Sequence, residues 1–246
     1  MNAPHLPRTS AIQAIRPKVL FKAIEARFPH ENVGFKVNIP SSDIGGMTLL
    51  ESSVLVSLAK LCQAKSLFEF GTFMGATTLL LAENTPPDSC VITLDISPEE
   101  LAALEGKHTG DVLKDGDAND EFLRAQFAQQ GARCIARAGA DVQRKVRQIL
   151  QNSVTLDVSA LGFEQKFDFI FIDGGHHHDI VKKDTENAYR MAKPNAVIAW
   201  HDYASKIHSD VTTFLDEHAK GRRIFHVENT MIAFELLGDF TKLITP

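Results

Sequence analysis

The chain has little of what would mark it as secreted, membrane-spanning or nucleic-acid-binding. Its three cysteines, Cys62, Cys90 and Cys134, are odd in number and contain no CxxC pair. That pattern excludes a disulfide framework and a cysteine-based zinc site, and it places the thiols, reduced, in a cytoplasmic compartment. Apolar runs stay well short of the roughly 20 residues that span a bilayer. The N-terminus lacks the apolar block of a signal peptide, and its early Arg8, Arg16, Lys18 and Lys22 read as a solvated helix face. A formal charge of −5 removes the basic surface that a general nucleic-acid binder needs. With one tryptophan and two tyrosines, no aromatic stacking platform is evident.

What remains is an ordinary globular composition, 44% hydrophobic and 23% charged. The 246 residues suit one α/β domain, with 1–46 as an N-terminal helical and loop extension and 47–246 as the core. Helical spacing is read over 11–28 and 47–65, and strands over 66–70, 90–96, 132–139, 167–175 and 195–203. Helices are expected from about Gly75, from about Ala140, over 179–192 and near 208–219. The segment "KHTGDVLKDGDAND" does not match a calcium loop and reads as an exposed insertion or lid. Finally, "RRIFHVE" and "MIAFELL" are separated only by "NT", too little for a crossover, so this pair must be antiparallel. The pattern predicts an α/β, doubly wound, mainly parallel seven-stranded sheet, with one reversed strand from the C-terminal hairpin at or near its edge.

Ligands of such sheets bind beyond the carboxyl ends of the strands. There "FEFGTFMGATT" places Glu69, Gly71, Thr72, Phe73, Gly75 and Thr77 around a strand–helix turn. Asp95 and Ile96 close the next strand about 20 residues on, where an acid binds a ribose diol. The spacing E-x-G-x-x-x-G lacks the middle glycine that cradles a pyrophosphate. A nucleoside without a diphosphate therefore fits better than a dinucleotide, and S-adenosylmethionine is such a molecule. A nicotinamide-dependent oxidoreductase stays as the alternative, as does a non-catalytic binding protein on the same scaffold.

From about residue 41 to 237 the chain resembles the class I S-adenosylmethionine-dependent methyltransferases, and within them the small O-methyltransferases of the catechol and bacterial antibiotic-tailoring types. The resemblance rests on "FEFGTFMGATT", "LDIS", "GAD" at 139–141, "FIDGGH", "WHDY" and the terminal hairpin. It implies cofactor contacts at Asp95, toward the ribose, and at the turn Ala140–Asp141, toward adenine; Asp141 also reads as a helix N-cap, and Glu69 reads as fixing the first-motif loop or the methionine end of the cofactor. It further implies a divalent cation, magnesium or similar, at Asp173, His201 and Asp202, with Asp173 also near the cofactor. His201 stands where the catechol enzyme has aspartate, and Asp202 where it has asparagine. In the resembling enzymes a Lys or His three residues past Asp173 takes a proton from the acceptor, which points to His176 within the run His176–His178. The expected partner is a small hydroxylated molecule, and homo-oligomers are compatible with the sequence.

Overall fold

The structure, a computed structural model, describes residues 11–38, 46–104 and 118–244. In chain order it contains β1 (Gln13–Ile15), α1 (Pro17–Arg27), α2 (Leu49–Leu61), β2 (Ser66–Phe70), α3 (Ala76–Glu83), β3 (Cys90–Asp95), α4 (Pro98–Leu104) and α5 (Ala118–Gln130). There follow two single-turn helices, α6 (Arg133–Ala136) and α7 (Ala140–Gln143), then β4 (Val146–Leu150), β5 (Phe167–Ile172), α8 (His178–Met191), β6 (Ala192–Trp200), α9 (Ser209–His218), β7 (Ile224–Val227) and β8 (Ala233–Leu236).

The strands form a single sheet in the order β1-β7-β8-β6-β5-β2-β3-β4. Every pairing is parallel except the two made by β8. β2 and β5, "SLFEF" and "FDFIFI", are apolar on both faces because helices cover both sides of the sheet. The period of two then sorts their residues. Leu67, Phe169 and Phe171 pack with Leu55 and Leu58 of α2, while Phe68, Phe70 and Ile170 pack with Val181 of α8 and Phe214 of α9. α2 begins at a reciprocal capping box, in which Thr48 accepts from the Glu51 N–H and Glu51 accepts from the Thr48 N–H.

Four expectations change. Among the described residues the sheet has eight strands, because residues 13–15, read as the start of a helix, pair parallel with β7. The helix itself begins at Pro17, whose fixed φ and missing N–H suit a first helical position. Residues 132–139 are not a strand: "RCIA" is a helical turn, and the strand is "VRQIL", 146–150, at the sheet edge with several exposed positions. The reversed strand β8 lies inside the sheet, between β7 and β6, and not near its edge. Most of the aspartate-rich stretch read as an insertion lies outside the described residues.

Candidate active site

The β2–α3 turn is built around two glycines in the left-handed region, Gly71 at φ 93° and Gly75 at φ 78°. A Cβ at Gly71 would sit 2.0 Å from the Asp173 carbonyl oxygen, so the glycine lets the loop after β5 press against the turn. At Gly75 a Cβ would meet the Ile135 side chain at 2.6 Å, which seats α6 against the start of α3. Phe73, also left-handed at φ 44°, is held by its N–H, which donates to Asp95 Oδ2 at 2.7 Å. The Ile96 N–H donates to Asp95 Oδ1 at 2.8 Å. Asp95 is thus the peg that shapes the turn, and burial pushes its carboxyl up to about 6 against those hydrogen bonds.

Glu69 lies fully buried beneath the turn, with Oε2 accepting from the hydroxyls of Thr78 and Thr93. Its Oε1 is buried without a partner among the described residues. Burial pushes this carboxyl up to about 8, against the two threonine bonds. Thr72 pairs with Thr93 at 2.8 Å, and Thr77 is half-buried in the first turn of α3. Ala140 and Asp141 lie on α7, where Gly139 is the N-cap. Asp141 does not cap the helix; its carboxylate is exposed and pairs with Arg144.

The second half of the site lies at the carboxyl ends of β5 and β6, paired in parallel. Here the structure brings together Asp173, His176, His201 and Asp202. His201 Nδ1 is 3.2 Å from both Asp173 Oδ1 and Asp202 Oδ2. His176 Nε2 is 3.1 Å from Asp202 Oδ2. Asp202 reaches both rings from a left-handed backbone, φ 60°, a region that Asp tolerates better than most residues. Burial opposes its charge, yet the bonds from His176 and His201 outweigh it and hold the carboxyl well below the usual range. Burial likewise opposes protonation of His201, but Asp173, Asp202 and Glu51 raise its pKa well above the ordinary value.

Two further residues of this cluster carry no motif. Glu51, on α2, places Oε1 3.7 Å from His201 Nε2 and accepts the Met231 N–H at 2.8 Å. Burial works against its charge, but His201 and the Thr48 and Met231 amides lower its pKa to about 2. His208, the N-cap residue of α9, stacks its ring on His176 at 3.6 Å. The neighbours of His176 are turned to other tasks: His177 is the buried N-cap residue of α8, and His178 contacts Asp179 and Glu217.

Donor atoms of Asp173, His201 and Asp202 all lie within 4.8 Å of one another, a set of two carboxylates and one imidazole that fits a divalent cation. The Glu51 carboxylate behind His201 is the kind of partner that orients a ligating imidazole.

The profile of a family described as a methyltransferase domain matches residues 68–203, from β2 through both halves of this site. The chain belongs to that methyltransferase family. Among curated relatives, the catechol O-methyltransferase of Niastella koreensis is 36% identical over 55 residues, 22% of this chain and 25% of that enzyme. The match thus spans about a quarter of the relative's length. Among solved structures, a proposed O-methyltransferase from Klebsiella pneumoniae superposes with a TM-score of 0.51 at 18% identity, covering 89% of this chain and 90% of the other. A proposed caffeoyl-CoA O-methyltransferase from Staphylococcus aureus gives 0.52 at 14% identity, covering 90% and 92%. These likenesses establish a shared methyltransferase fold. No helix among the described residues is long and apolar enough to cross a membrane.

Proposed function

We propose that this methyltransferase moves the methyl group of S-adenosylmethionine to a hydroxyl oxygen of a small molecule. The observation that carries the reading is the His176–Asp202 contact, 3.1 Å long, across the ends of β5 and β6 and beside the β2–α3 turn. A carboxylate at that distance orients the ring and stabilises the imidazolium formed when the ring accepts a proton. In this reading His176 is the proton acceptor, its ring partly open to solvent.

The turn supplies the nucleoside seat. Asp95 accepts from the Phe73 and Ile96 amides, and in this reading its remaining acceptor capacity takes the ribose hydroxyls. Gly71, Thr72, Phe73, Gly75 and Thr77 line the approach to the start of α3, which favours the donor's carboxylate. The unpartnered Glu69 Oε1, buried under this turn, suits the donor's ammonium end. Ile96, Ala140 and Asp141 flank the base, and Asp141 reaches it only by leaving Arg144.

Asp173, His201 and Asp202 are the residues that would hold a divalent cation, which when bound lowers the acceptor hydroxyl's pKa and fixes its oxygen. The quarter-length likeness to a catechol O-methyltransferase supports oxygen as the methylated atom. The family match favours methyl transfer over the nicotinamide-dependent alternative. A panel of catechols, other phenols and aliphatic alcohols, incubated with methyl-tritiated S-adenosylmethionine and magnesium, tests the reading. Transfer to at least one hydroxyl is expected. Absence of S-adenosylmethionine binding by calorimetry would reject it.

A further inference from the structure

We propose that His176, Asp202 and His208 form a second cation seat, one that takes zinc, cobalt(II) or a similar late-transition ion and thereby silences His176 as a proton acceptor. One donor atom from each residue lies within 4.8 Å of the others. Asp202 is the single residue shared with the Asp173–His201 set. The edge from His176 Nε2 to Asp202 Oδ2 is 3.1 Å. Neighbouring donors in tetrahedral zinc, with bonds of about 2.0–2.1 Å, lie roughly 3.3 Å apart. That edge is already the right length.

The third donor stands alongside. The His176 and His208 rings are stacked at 3.6 Å with 20° between their planes, so their nitrogens lie side by side and do not yet converge. Convergence on one ion requires rotation about Cβ–Cγ, a broad torsion for His. The His208 N–H donates to Ser205 Oγ at 3.2 Å at the head of α9, and Asp202 holds a left-handed backbone conformation. Asp202 and His208 are buried while the His176 edge is partly open, which leaves a coordination position for water or a ligand.

The two seats differ in donor chemistry. Two imidazoles and one carboxylate select zinc, cobalt or nickel, whereas magnesium prefers oxygen and keeps its waters. An ion in the imidazole-rich seat occupies the lone pair of His176 and draws Asp202 away from the other seat. Occupation of the seat does not depend on the reaction proposed above; only its inhibitory consequence rests on that reading.

The test uses tag-free, chelator-stripped protein without donor or acceptor. Zinc chloride is titrated by calorimetry, and cobalt(II) chloride by visible absorption. One saturable ion per chain is expected. His208→Ala should weaken zinc binding more than about 100-fold, since loss of a ligand exceeds the 10–100-fold typical of a lost outer partner. Asp173→Asn should stay within about threefold of wild type. The reverse pattern puts zinc with Asp173 and His201 and overturns the proposal, as does the absence of saturable binding. Thermal melting and S-adenosylmethionine titration of the same variants report folding and the donor site separately; if His208→Ala does not fold, His208→Gln replaces it. Zinc at one equivalent should also suppress magnesium-supported transfer, and full transfer with zinc bound would overturn the inhibitory role while leaving the methyltransferase reading intact.

Discussion

His176 and Asp202 meet at 3.1 Å although they belong to different strand–loop junctions, because β5 and β6 are adjacent and in parallel register from Phe169–Val197 to Ile172–Trp200. The register brings both loops to the same end of the sheet, and the left-handed turn at Asp202 swings its carboxylate toward His176. The dyad is a product of sheet topology.

His176→Ala is expected to lower kcat by about 10²–10⁴-fold, the range of a positioned acid–base group, with little change in S-adenosylmethionine affinity. His178→Ala is the matched control, since its ring contacts Asp179 and Glu217. His177→Ala is a poorer one because His177 is buried at the head of α8. Equal loss in His176→Ala and His178→Ala, measured by initial rates at saturating donor, would remove the assignment.

If the proposed cation serves the acceptor, chelation should abolish methyl transfer and leave donor binding nearly intact. Asp173→Asn should reproduce the effect in part by removing one carboxylate donor. Undiminished turnover in excess chelator would leave His176 and Asp202 as the sole activating pair.

Asp95→Asn should weaken S-adenosylmethionine binding by about 1–3 kcal/mol, the worth of a charge-assisted hydrogen-bond pair. The asparagine oxygen can still accept one of the two bonds from Phe73 and Ile96, so the turn is disturbed less than by alanine. Calorimetric titration giving wild-type affinity would exclude Asp95 as the ribose acid.

Asp184 on α8 is buried behind the Gly174 loop without a hydrogen-bond partner among the described residues. Burial raises its pKa from 3.8 to about 7, and nearby Ser153 offsets only part of this. A carboxyl with a raised folded pKa loses stability as pH climbs from the unfolded value to the folded one. Asp184→Asn should therefore gain on the wild type between pH 4 and 7 and hold a constant advantage above that. Urea midpoints across that range check it; a gap independent of pH would refute the linkage.

Much of the site was legible because its parts sit in apolar strands with distinctive endings. "FEFG", "TLDI", "FIDGG" and "AWHD" each announce a strand and the polar residue beyond it. "VRQIL" failed that reading because an edge strand with exposed positions carries little apolar signal, whereas "RCIA" has the apolar look of a strand and is a turn of helix. β1 was hidden inside a helical pattern that Pro17 alone divides. Glu51 showed only its capping box; nothing local tells that a helix 150 residues upstream supplies the partner of His201. His208 had no signal at all, since its role depends on how the loop before α9 folds back. The hairpin fixed the direction of β8 but not its slot, which is set by long-range packing.

That slot governs the order in which the molecule can be assembled. Among the described residues β1 pairs with β7 alone, and β7 is joined to the rest of the sheet only through β8, the last of the described strands. During synthesis from the N-terminus, β1 must wait for β7 and β8 before it has a place to dock in the sheet. Closing that contact spans more than two hundred residues, so this edge carries the largest loop-closure cost among the strand pairings of the described residues.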